Sequence, residues 1–192
     1  YFTVKNNIEL VNRQCHDLKY KIRLIAGDGR VADETLKEIE DAISIYGTTV
    51  KTGNDALDTI LTEKSLFCYR NGINLSCMAD GKSLDFMKDA DIYVLFGNAL
   101  DNAIEAVTNL AADKKVIGVS LKRVNGFLAV NIHNYYEKDI VISDGLIQTT
   151  KDDRLRHGYG MSSMRAICDK YGGDMVVKTE DKVFTLNILF PL

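Results

Sequence analysis

The stretch NALDNAIEA, residues 98–106, decides how the chain is read. It sets Asn98, Asn102 and Glu105 in a run that otherwise has the pattern of a buried helix. Asparagine is a poor helix former because its side chain competes with the backbone for hydrogen bonds, so its recurrence needs a reason. At 100° per residue, Asp91, Asn98, Asn102, Glu105 and Asn109 share a narrow polar stripe, and Leu95, Phe96, Ala99, Ala103 and Ala106 form an apolar face. A helix face turned only to solvent favours Lys, Glu and Arg. Short carboxamides suit oxygen coordination of a hard cation such as Mg²⁺, with phosphates filling its other positions.

Working outward, the spacing predicts a long helix from Asp89 to Leu110, preceded by a strand in GINLSCMA and by a helix at about 55–71 that Asn54 can cap. Downstream, KKVIGVSLKR and GFLAVNIHN read as strands joined at Asn125-Gly126, a strong hairpin signal. A glycine-bearing loop then leads to a helix expected at about 160–171. YGGD stops that helix, and DMVVKTE and KVFTLNILF close the chain as a second hairpin. Helices on one side of a largely antiparallel sheet make a two-layer α/β sandwich, so the fold class is α+β.

Residues 149–164, TTKDDRLRHGYGMSSM, form the second stretch with chemical content. Gly158 and Gly160 directly precede the expected helix, whose unpaired first amides make an anion site that glycine lets a phosphate approach closely. Thr149, Thr150, Lys151, Arg154 and Arg156 lie just upstream and could close over a polyphosphate as a lid.

The third lies in residues 1–47. Tyr1, Val4, Ile8, Val11, Cys15, Leu18, Ile22 and Ile25 follow steps of three and four, and Ala32, Leu36, Ile39, Ile43 and Tyr46 repeat the pattern after AGDGR. Two antiparallel helices leave much of such a seam open, so a second copy is expected to complete a four-helix bundle, making the protein a homodimer. His16, in NRQCHDLKYKI, is one residue past the seam and projects from the flank. A carboxylate near one ring nitrogen, as Asp17 could supply, fixes the tautomer and makes the other nitrogen more nucleophilic.

The chain has 192 residues, 46% hydrophobic and 27% charged, an ordinary globular composition. Its net charge of −3 argues against a duplex-binding surface, so no nucleic-acid partner is expected. Cys15, Cys68, Cys77 and Cys168 lack metal-ligand spacing and sit in apolar runs, as buried thiols of a reducing compartment do. No apolar run approaches the ~20 residues that span a bilayer, and no signal-peptide pattern opens the chain. Residue 1 already lies in a patterned helix, so the chain reads as a cytoplasmic piece of something longer, with a membrane sensor region expected upstream.

Taken in order, CHDLKYKI, NALDNAIEA and TTKDDRLRHGYGMSSM resemble the phosphoacceptor box, the N box, and the lid with second glycine box of sensor histidine kinases of the GHKL fold. KTGNDALDTILTEK, GNALDNAIEA and HGYGMSSMRAICDKYGGDM are similar to the quorum-sensing peptide receptors, the accessory-gene-regulator sensors, and more loosely to the citrate-sensor group. The resemblance implies a dimerisation and phosphotransfer hairpin over 1–47 and a catalytic ATP-binding domain over 48–192. It implies that His16 accepts the γ-phosphoryl group of ATP with Asp17 as acid/base partner, and that a response-regulator receiver domain receives it next. Asn102 would be the Mg²⁺ ligand, Asn98 its support and a phosphate contact, and Gly158 and Gly160 the phosphate cradle, with Thr150 and Lys151 of the lid closing over it.

One box departs from the pattern. Histidine kinases mostly carry DxGxG where this chain has IHNYYEKD, so Asn134 takes the place of the aspartate that bonds the adenine amino group. A neutral carboxamide still accepts a hydrogen bond, but gives up a charge-assisted one that is about twice as strong. Weak ATP affinity is expected, which leaves a catalytically inactive scaffold as one alternative. A GHKL ATPase is the other; such enzymes resemble one another in placing a glutamate where this chain has Asn98, and asparagine cannot act as a general base.

Overall fold

The computed structural model describes residues 50–137, 141–143, 146–148 and 154–192. The helical hairpin expected over residues 1–47, with His16 and Asp17, lies outside them, as do Thr150 and Lys151. The described residues belong to one compact unit, Val50–Leu192.

Asn54 starts the first helix, α1 (Asp55–Arg70), its Oδ1 accepting from the amide of Leu57 at 3.0 Å. Strand β1 (Asn74–Ala79) follows, and α2 (Asp89–Thr108) carries the asparagine stripe. Strands β2 (Val116–Val124) and β3 (Phe127–Tyr135) turn at Asn125 and Gly126, whose φ values of 49° and 82° are those of a tight primed turn. Short strands β4 (Val141–Ser143) and β5 (Leu146–Gln148) pair with each other, α3 spans Arg154–Lys170, and β6 (Asp174–Glu180) and β7 (Val183–Pro191) close the unit.

The main sheet has the order β1-β2-β3-β7-β6. β1 and β2 run parallel because α2 returns the chain to the same end between them; the other neighbours are antiparallel. Alternation puts Leu128, Val130 and Ile132 of β3 under the helices, beside Leu186, Ile188 and Phe190 of β7. Helix α2 packs against α1, α3, β2 and β3. Its Ile92, Leu95, Phe96, Ala99 and Leu100 enter the main core, and Ala103, Ile104 and Val107 join Cys68, Ile73 and Ile117 in a smaller cluster at its far end. The expected two-layer α+β architecture is the observed one.

Two expectations need correction. The sequence reading has no strands at 141–143 and 146–148, since three-residue runs fall below any periodic signal. Helix α3 begins at Arg154, not near 160. Arg154, Leu155 and Arg156 are good helix formers and carry the helix through both glycines, each costing about 1 kcal/mol relative to alanine. Gly158 and Gly160 therefore lie past the first turn of α3, where the helix uses their amides in its own ladder. In this conformation they are not the exposed helix start that the spacing predicts.

Candidate functional site

The polar stripe of α2 faces where the sequence puts it. Leu95, Phe96, Ala99 and Ala103 are buried, Asn98 and Asn102 are half-buried one turn apart, and Ala106, expected on the apolar face, is only half-buried. The Asn98 carboxamide is oriented by its own helix: Nδ2 donates to the Val94 carbonyl at 2.8 Å, which turns Oδ1 toward α3. Gly160 of α3 sits opposite that oxygen. A Cβ built on Gly160 would lie 3.3 Å from Asn98 Oδ1, so α2 and α3 meet there through a residue without a side chain. The fold thus brings Asn98 and Gly160 together, although they are 62 positions apart, with Asn102 one turn further along α2.

Asn134 occupies the helix-facing side of β3, across from Ile117 of β2 and Phe184 of β7. It is 3% exposed, and apart from Ser83 it is the buried polar side chain among the described residues. Its Nδ2 donates to the Tyr135 carbonyl at 2.8 Å. Its Oδ1 has no hydrogen-bond partner among the described residues. A buried acceptor left open is costly, and in native proteins such groups commonly await a ligand or water. This open acceptor has the chemistry to take a hydrogen bond from an exocyclic amino group such as that of adenine. Bonding of Nδ2 to Tyr135 holds the carboxamide in that orientation.

Among the described residues, no cluster of three or more His, Cys, Asp or Glu could hold a metal ion. The donor set on the stripe is instead carboxamide oxygen, which suits Mg²⁺ only when phosphate oxygens and water complete the shell. Asp101, beside Asn102 in sequence, is committed elsewhere, in an ion pair with Lys64 of α1 at 2.8 Å. The carboxamide oxygens of Asn98 and Asn102 are donors that could take part in holding Mg²⁺-bound phosphates, and the open Asn134 oxygen is an acceptor that could take a base amino group.

Sequence reasoning missed the group that ties the two helices together. Asp91, in the first turn of α2, accepts at one oxygen, Oδ2, from Lys170 Nζ at 2.6 Å and from the Tyr171 hydroxyl at 2.5 Å. Those bonds, from Lys170 first and then Tyr171, hold the Asp91 carboxyl below the ordinary carboxylate range, and the same bond to Asp91 raises Lys170. Asp91 was legible as part of the stripe, but nothing local in CDKYGG marks Lys170 and Tyr171 as its partners.

Among the described residues, no helix is long and apolar enough to cross a membrane. The chain is similar, at 23% identity over 96% of its length, to a probable C4-dicarboxylate sensor kinase of Halalkalibacterium halodurans, and it spans 37% of that relative's length. Its fold is similar to that of the catalytic domain of histidine kinase ThkA, at a TM-score of 0.55 and 17% identity, covering 73% of this chain and 93% of that one. The histidine kinase domain of the blue-light activated kinase EL346 of Erythrobacter litoralis is also similar, at a TM-score of 0.51 and 16% identity over 97% of this chain and 94% of that one. Residues 87–191, more than half of the chain, match the GHKL domain family, and the chain belongs to that family.

Proposed function

We propose that the chain is the kinase portion of a two-component sensor histidine kinase, with a dimerising phosphotransfer hairpin over 1–47 and a catalytic ATP-binding domain over 48–192. The observation that carries this reading is Gly160 set against the oriented Oδ1 of Asn98, a glycine box meeting an asparagine stripe. Mg²⁺-ATP supplies the γ-phosphoryl group and neutralises charge in a loose transition state, so the protein's work is positioning and electrostatics.

Asn134 accepts from the adenine amino group, Asn102 offers its oxygen to Mg²⁺, and Asn98 supports it and contacts phosphate. Gly158 and Gly160 shape the phosphate cradle, Gly158 by letting the backbone approach once the first turn of α3 yields its helical bonds and Gly160 by leaving the space beside Asn98 free of a side chain, and Thr150 and Lys151 close the lid. The neutral imidazole of His16 is the nucleophile, and Asp17 accepts a hydrogen bond from its other ring nitrogen as positive charge develops. An aspartate of a response-regulator receiver domain takes the phosphoryl group next. A homodimer through the N-terminal helices and a membrane sensor region upstream belong to the same reading.

Asn98 weighs against the ATPase alternative, because a carboxamide cannot take a proton from water. The scaffold alternative draws on Asn134 standing where an aspartate is usual, and it requires that millimolar ATP leave the protein unbound. The relative and the solved structures named above lend no support to the accessory-gene-regulator group, so a peptide stimulus rests on the quoted motifs alone.

Incubation with ATP labelled at the γ position tests the proposal. Acid-labile label on the native chain that is lost in His16→Gln is the expected result. Label that persists in His16→Gln would remove His16 from the mechanism.

A further inference from the structure

Helices α2 and α3 run antiparallel, and their two points of contact differ in kind. At one end, Asp91 near the start of α2 grips Lys170 and Tyr171 at the end of α3. About 10 Å along α2, two helical turns on, Asn98 meets Gly160. Gly160 has no side chain with which to hold itself there. Its distance from Asn98 is therefore inherited from whatever fixes the rest of α3.

Met161, Met164, Ile167 and Cys168 seat α3 in the core, and the Tyr171 hydroxyl adds the polar contact that fixes its far end to α2. That hydroxyl donates to Asp91 and accepts from the backbone amide of Lys88 at 3.0 Å. Lys88 is the N-cap of α2 and makes no side-chain cap, so the tyrosine of one helix closes the start of the other. The Tyr171 ring stands edge-on to Phe86 at 5.8 Å, and Phe86 in turn packs on Phe190 of β7 at 5.6 Å. The contact is thus braced against the sheet. Lys170 Nζ lies 5.3 Å from the centre of the same ring, which adds a cation–π contact to its bond with Asp91.

We propose that Asp91, Tyr171 and Lys170 are positioning residues: their clamp sets Gly160 against Asn98 and thereby tunes affinity for the polyphosphate of a nucleoside triphosphate, not for its base. This rests on the Mg²⁺-ATP reading above. The base would be met by Asn134 on β3, a strand that the clamp does not touch, whereas the polyphosphate would lie between α2 and α3.

The test compares two probes, Mg²⁺-ATP and adenosine, titrated calorimetrically into the 192-residue chain and its variants. Tyr171→Phe keeps the ring packing and deletes both hydroxyl bonds; Asp91→Asn removes the charge; Lys170→Arg keeps it. Tyr171→Phe and Asp91→Asn are expected to weaken Mg²⁺-ATP by about tenfold, the order lost with a charge-assisted hydrogen bond, and to leave adenosine within about twofold. Lys170→Arg is expected to bind both probes as the native chain does. If Asp91→Asn fails to fold, Lys170→Met, at a half-exposed position, removes the ion pair alone and is expected to show the same selective loss. Equal loss of both probes, or no loss of either, overturns the clamp while the Mg²⁺-ATP reading stands. A native chain that binds neither probe overturns that reading and the clamp with it.

Discussion

Asn134 separates what favours folding from what favours binding. Its open Oδ1 is a burden on the free protein, and a ligand's amino group would relieve it. Asn134→Leu, close in shape, is expected to leave the thermal midpoint unchanged or raise it while weakening ATP about five- to tenfold, the value of one hydrogen bond. Asn134→Asp is expected to do the reverse. A carboxylate at a 3% exposed position without a partner costs the free protein about 3–5 kcal/mol, yet it regains the charge-assisted bond to adenine. Melting curves with and without Mg²⁺-ATP read both effects. A stability loss in Asn134→Leu with unchanged affinity would make Asn134 a structural residue.

The Asp91 carboxyl carries a pH signature. The Lys170 and Tyr171 bonds depress its pKa in the folded chain, with Lys88 adding positive charge, so its contribution is present above the unfolded aspartate value and lost as pH falls through the folded one. Lys170 is raised by Asp91, so its share is present below the unfolded lysine value and fades only as pH rises through the folded one. The urea midpoint of the native chain should therefore exceed that of Asp91→Asn by a constant margin between about pH 5 and 9. That margin should close below about pH 4. A margin independent of pH throughout would show that the ionised pair contributes nothing.

Among the elements, α3 is where the sequence reading and the structure part. The two hairpins were legible because alternation is a period-2 signal, and Asn125-Gly126 names its own turn. The last hairpin turns without glycine, at Asp181 and Lys182 with φ of 48° and 60°, so its strand pattern carries it. The start of α3 was not legible, because RLRHGYG holds strong formers and two glycines that pull in opposite directions, and local propensity does not weigh them. Gly158→Ala is expected to strengthen the helical start by about 0.5–1 kcal/mol and to weaken Mg²⁺-ATP by a few-fold, since the cradle requires those turns to open. Gly160→Ala should weaken it further, because its Cβ would sit 3.3 Å from the oxygen of Asn98. Hydrogen exchange over 154–158 with and without Mg²⁺-ATP checks the premise: faster exchange with ligand supports it, and uniform slowing argues against it.

Across the whole molecule, α2 serves two purposes at once, and its faces are separable. Leu100 is fully buried in the main core, so Leu100→Ala should cost about 2–5 kcal/mol, whereas Val94→Ala, at 43% exposure, should change stability by under about 0.5 kcal/mol. The same packing governs the thiols. Burial pushes Cys68, Cys77 and Cys168 up to about 11, which agrees with their place in apolar runs and leaves almost no thiolate near neutral pH. An unfolded cysteine ionises near 8.5, so between about pH 8.5 and 11 the unfolded chain releases protons that the folded one retains, and stability falls as pH rises. At pH 8, an aromatic disulfide reagent should therefore label these three cysteines at the rate of global opening. Urea below the unfolding midpoint should accelerate all three together, as it would for thiols belonging to one cooperative unit. Rapid labelling of Cys77 alone, the half-buried one of the three, would mean that β1 opens at the sheet edge independently of α2.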